Sequence, residues 1–163
     1  MRPCRHRIGV SLGDVPTLDG GGLSEFCLQV GSRLQQALGA EDGIGLVFHL
    51  KERLVGRFGN TVDYLPVDRW QRWRHVRPEP YALWHSLHQL NKNRPPDGAG
   101  LRLVTVHDLN YRYGPRAFSR WRHQRRTRAL LARSDRLTAI SAFTAQELRE
   151  HLGWRGEIEV IHN

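Results

Sequence analysis

The residues in this sequence best suited to chemistry fall after, or at the end of, runs that read as strands. His107 and Asp108 follow LRLVTV, the strongest strand signal in the chain. A histidine there can hydrogen-bond a substrate hydroxyl or phosphate, or move a proton near neutral pH. On residue type alone it can equally be a histidine that only bonds backbone at a strand end. Gly20, Gly21 and Gly22 stand between a first strand and a first helix. A glycine run at that place lets backbone approach a phosphate closely, and the helix N-terminus supplies unpaired N–H groups and partial positive charge. The bland reading is a flexible turn. His85 and His88 have HxxH spacing, which would suit a metal only on a helix face with a third ligand, and the sequence offers no third ligand. No metal is expected. Arg120, Arg122, Arg125 and Arg126 crowd one helical stretch with Trp121, Gln124, Thr127 and Leu131 as a thin uncharged stripe. That composition fits an anion-binding or anionic-membrane surface, and also a plain solvated helix.

The elements that must position these groups alternate in period. Arg7–Leu12 reads as a first strand, and Leu23, Phe26, Cys27, Val30, Leu34 and Leu38 follow helical spacing up to Gly39. Ile44–Leu50 is a second strand, which completes a β-α-β unit and favours a parallel sheet. Val62–Val67 reads as a short edge or terminal strand because it holds Pro66. The stretch RWQRWRHVRPEP (69–80) could be helix or surface loop; its basic and aromatic residues could contact nucleic acid, but no nucleic-acid motif accompanies them, and nucleic acid is not the expected partner. Tyr81–Leu87 and Leu101–Val106 are further strands, the latter apolar enough to be buried on both faces. A helix is expected from Pro115 to about Arg133, then a strand over Arg136–Ile140. The next helix opens at Thr144, with Thr144 and Glu147 as a capping box and Phe143 and Leu148 as a staple, and stops at Gly153. Ile158–Ile161 is the last strand. This alternation predicts one α/β sandwich of about six or seven strands, with ligands bound beyond the strands' carboxyl ends.

The chain has 163 residues, 25 Lys and Arg against 16 Asp and Glu, and a formal net charge of +9, which favours anionic partners. The basic start lacks an apolar core and cleavage site, so a cytoplasmic location is expected. Cys4 and Cys27 have neither metal-ligand spacing nor a secretory context. The glycine run does not match GxGxxG, and the second strand ends in Phe48-His49-Leu50 with no acid for a ribose, which argues against NAD.

Four segments in order, namely the first strand with its GGL, then VTVHDL, then ALLARSDRLTAISAFTAQEL, then IEVIHN, resemble the N-terminal domain of family-four (group 1) glycosyltransferases of GT-B fold. The resemblance implies a three-layer Rossmann-like domain, residues 1–163, forming the acceptor side of a two-domain enzyme. It also implies transfer of a hexose from a nucleotide-sugar, with retention and without a metal, to a glycan, polysaccharide or lipid-linked acceptor. Gly21 and Gly22, with Gly20 beside them, would approach the donor diphosphate. His107, as the catalytic residue, would contact the transferred sugar or the acceptor, and His85, Asp108, Ser141 and Thr144 would shape the acceptor side. The family's donor-binding domain is missing from this chain, which by this reading is inactive alone. His162 stands where the family usually has proline. The alternative is a non-enzymatic α/β module that binds anions or RNA through its arginines.

Overall fold

The computed structural model describes residues 6–15, 21–39, 41–68, 70 and 80–162. In chain order they form β1 (His6–Ser11), α1 (Gly22–Leu38), β2 (Ile44–Leu50), β3 (Asp63–Pro66), β4 (Tyr81–Ser86), β5 (Ala99–Val106), α2 (Ala117–Leu131), β6 (Arg136–Ala139), α3 (Ala142–Leu152) and β7 (Ile158–Val160). The strands make one all-parallel, seven-stranded sheet of order β3-β2-β1-β4-β5-β6-β7. The expected three-layer, Rossmann-like sandwich is therefore what the sequence builds, with β3 and its Pro66 at the sheet edge.

The chain steps one way from β1 to β3, then resumes on the other side of β1 with β4. Right-handed crossovers then put the helices of the two halves on opposite faces. The register shows this directly. Val10 pairs with His85 and His85 with Leu103, so these share one face, while Ser11, Ser86 and Val104 share the other. On the first face Val10, Leu46, Phe48 and Leu50 pack with Phe26, Cys27, Val30 and Leu34 of α1. On the second, Val104, Val106, Leu137 and Ala139 pack with Leu130 and Leu131 of α2 and Ala145 and Leu148 of α3. Gly9 is required where β1 meets β4, because a Cβ there would lie 2.2 Å from the Trp84 ring.

Several boundaries differ from the sequence reading. β5 starts at Ala99, and only its last three residues are buried. The expected burial on both faces holds for Val104, Thr105 and Val106 but not for Leu101 and Leu103, because α1 packs on β1 and β2 and does not cover the start of β5. Pro115 lies outside α2, whose N-cap is Arg116. The proline instead holds Gly114 extended, at φ −66° and ψ 148°. The uncharged stripe of α2 is also shifted. Thr127, Leu130 and Leu131 are buried, but Trp121 is 54% exposed and stacks on the exposed Phe118. α3 begins at Ala142 rather than Thr144: the Ser141 hydroxyl caps it by accepting from the Thr144 N–H. Glu147 points into an ion pair instead of closing a capping box, and Phe143, 64% exposed, makes no staple. Gly153 ends α3 as expected, at φ 70°. His85 lies inside β4, which ends at Ser86. Gly20, Cys4 and nearly all of 69–79 fall outside the described residues.

Candidate active site at the carboxyl edge of the sheet

The strand order reverses between β1 and β4, and the chain leaving β4, β5 and β6 meets there. In open α/β sheets such a reversal opens a crevice at the strands' carboxyl ends. The bend after β5 lies at this same edge, one strand over. His107 is buried, 9% exposed, and its N–H, its carbonyl and the Asp108 carbonyl are each held by a side chain, from Gln89 or from Thr144 of α3. Gln89, just past β4, bridges the bend: its Oε1 accepts from the His107 N–H at 3.1 Å, and its Nε2 donates to the Asp108 carbonyl at 2.7 Å. The Thr144 hydroxyl donates to the His107 carbonyl at 3.1 Å. Since that hydroxyl proton is committed, the 3.0 Å contact between the Ser141 and Thr144 hydroxyls is donated by Ser141. Asp108 Oδ1 accepts from the Asn110 N–H at 3.0 Å, an Asx turn that ends the bend.

The His107 ring is oriented from two sides. Phe26 of α1 meets it edge-on at 4.4 Å between ring centroids. Its Nε2 lies 3.0 Å from the Leu87 carbonyl, which can only accept, so Nε2 carries the proton and the neutral ring presents Nδ1 as an acceptor. Burial lowers the pKa; the Leu87 hydrogen bond and the Asp108 charge oppose this more weakly. The ring is neutral at pH 7 and ready to accept a hydrogen bond from a hydroxyl.

Across the crevice, α1 starts at Gly22 with Gly21 as its N-cap at φ 128°, a conformation costly for any other residue. Among the described residues a Cβ at Gly21 or Gly22 would meet nothing within 4 Å, so none of them covers these backbone groups. From Gly22 a cavity of about 770 Å³ runs over the uncovered face of β4 to β7. Its floor carries a polar ladder, in which His85 Nε2 and Thr138 Oγ1 each lie 2.8 Å from Thr105 Oγ1. Burial pushes the His85 pKa down to about 4.

The structure thus gathers His107, Asp108, Ser141 and Thr144 into one hydrogen-bonded cluster, with Gly21 and Gly22 joined to it through Phe26 one turn along α1. His85 belongs to the adjoining cavity. Arg120, Arg122, Arg125 and Arg126 are each exposed on α2, with Arg120 donating to the Gly114 carbonyl. Two positioning residues carry no motif in the sequence, and a third, Glu147, fits a different local pattern there. Gln89 and Leu87 sit in the same strand-end segment as the HxxH pair, and only the tertiary fold shows that they hold the bend. Glu147 was read as a cap, yet it accepts from Arg112 Nη1 at 3.0 Å and Tyr113 Oη at 2.8 Å, tying the turn after the bend to α3. His88 is buried, and burial pushes its pKa down to about 4, opposed more weakly by the Leu12 backbone. His85 and His88 occupy a strand and the turn after it, not one helix face.

A doubly wound parallel sheet with a glycine N-cap and an oriented histidine beside its reversal point defines an α/β domain built to hold ligands at its carboxyl edge. Residues 46–163 match the family model described as Glycosyltransferase Family 4, and the chain belongs to that family as an N-terminal domain of the group 1, GT-B type. The matched span covers β2 to β7 and the bend; β1 and the glycine start of α1 precede it. No curated protein matches the chain.

Proposed function

We propose that this chain is the acceptor-side half of a retaining glycosyltransferase. It would work with a second, nucleotide-sugar-binding domain to move a hexose onto a glycan, polysaccharide or lipid-linked acceptor. The observation that carries this reading is the fixed orientation of His107. With Nε2 held by the Leu87 carbonyl, Nδ1 is left to accept from a sugar hydroxyl, in a family whose members transfer sugars. The donor diphosphate would approach Gly21 and Gly22, where backbone that none of the described residues covers and the partial positive charge of a 17-residue helix suit a leaving group that gains negative charge. Asp108, Ser141 and Thr144 keep the bend in place, so that the histidine needs little reorganisation when the hexose binds. His85 and the threonine ladder line the cavity in which an acceptor would lie. Apart from the second domain the chain would be inactive.

Exposed aromatic residues add a membrane component. Phe118 and Trp121 stack on the outer face of α2 beside Arg120, Arg122 and Arg125. Aromatic side chains with flanking cations suit the interface of an anionic bilayer. No helix among the described residues is long and apolar enough to cross a membrane, so contact of this kind would be peripheral. We test the transferase reading with the two-domain protein and His107→Ala. Transfer from nucleotide-sugar should fall by roughly a hundredfold with substrate still bound, and unchanged transfer would remove the role given to His107. Flotation with vesicles containing anionic lipid tests docking: Phe118→Ser with Trp121→Ser should lower recovery, and equal recovery on neutral and anionic vesicles would reject it.

A further inference from the structure

A second basic site lies away from the bend, in a groove of about 360 Å³ between the chain following β4 and the last turns of α2. Its rim carries Lys92, Arg94, Arg126 and Arg133, and no acidic residue among the described residues lines it. Lys92 is partly neutralised by Asp14 at 3.4 Å, whereas no ion pair engages Arg94, Arg126 or Arg133 among the described residues. Asn93 also lines the groove; it is 4% exposed, and its Nδ2 has no hydrogen-bond partner. A buried amide donor without a partner costs free energy unless a ligand or water completes it. Three guanidinium groups around one concavity likewise repel unless an anion sits among them. Neighbouring His123 reports the same positive field: its pKa is lowered by burial first, then by Arg122, Arg126 and Lys92.

From this geometry we infer that the groove is a phosphate-binding site, in which Arg94, Arg126 and Arg133 contact the oxygens of a phosphoryl group carried by a small molecule or a lipid headgroup. The multiple unpaired cations match a di- or trianionic phosphate better than a single carboxylate charge, and guanidinium groups meet phosphate oxygens in bidentate fashion. The site is separate from Gly21 and Gly22, and it stands independently of the transferase reading because its readout is binding alone.

The test titrates the purified protein with inorganic pyrophosphate by calorimetry at low salt, and measures flotation with phosphatidylcholine vesicles with and without phosphatidic acid. Arg94→Gln with Arg126→Gln is compared with Arg57→Gln with Arg149→Gln, which removes the same charge from exposed positions outside the groove and away from α2. Saturable pyrophosphate binding that the groove pair weakens roughly tenfold or more, and the outer pair by less than about twofold, supports a small-molecule phosphate. A groove-specific loss seen only with phosphatidic acid vesicles assigns the lipid headgroup. Equal loss in both pairs, undiminished binding in the groove pair, or no binding to either probe overturns the inference. Circular dichroism of both variants confirms that they are folded.

Discussion

Acidification should destabilise this fold well above the pH at which carboxylates protonate, because His88, buried, and His85, half-buried on the cavity floor, are held as neutral rings with pKa values near 4. The cause in both is desolvation, which disfavours the charged ring. The folded values lie below the unfolded value of about 6.5, so the unfolded chain binds more protons between pH 4 and 6.5. Stability is therefore complete above about pH 6.5 and falls as the pH drops through that window. Between pH 7.5 and pH 5 the linkage relation gives about 2 kcal/mol for each histidine, or about 4 kcal/mol together. That is a large share of the 5–15 kcal/mol typical of a domain. Urea denaturation at pH 7.5, 6 and 5, followed by far-ultraviolet circular dichroism, measures it. His88→Gln has no ring to protonate and should reduce the loss to about half. If wild-type stability at pH 5 and 7.5 agrees within about 0.5 kcal/mol, these rings do not exclude the proton and the account of their burial is wrong.

Other substitutions test how the bend is held. Gln89→Leu leaves the His107 N–H and Asp108 carbonyl without their partners and should cost about 2 kcal/mol, with the melting temperature lowered by several degrees; an unchanged melting temperature would show that water replaces the glutamine without loss. Ser141→Ala removes the α3 cap and should cost about 1 kcal/mol in urea titration, while Ser141→Asn should keep most of it. Glu147→Ala strips the partner from Arg112 and Tyr113 and should cost on the order of 2–3 kcal/mol. Replacing Arg112 by methionine in that background should then restore part of the loss, and no recovery would mean that the pair is not the source of the effect. Gly9→Ala forces a Cβ against the Trp84 ring and should destabilise by about 1–3 kcal/mol, which Trp84→Leu in the same chain should relieve in part.

Much of the architecture is written in local pattern. Period-two and short apolar runs mark the strands, helical spacing from Leu23 to Leu38 marks α1, and Gly153 marks the end of α3, because each depends on residues near in sequence. The site was legible as a set of residue types at strand ends: His107, Asp108, Ser141 and the glycines. What those residues do to one another depended on register and crossover. The sequence could not show that Leu87 and Gln89, about 20 positions before the bend, fix the tautomer of His107 and both flanking backbone groups. Nor could it show that Thr144 bonds the His107 carbonyl, since a threonine near a helix start satisfies the local capping pattern in any tertiary setting. The half-exposure of β5 and the outward turn of Trp121 were hidden for the same reason. Apolar pattern states which residues could be buried, and only the placement of α1 over β1 and β2, and of the last turns of α2 over the opposite face, decides which of them are.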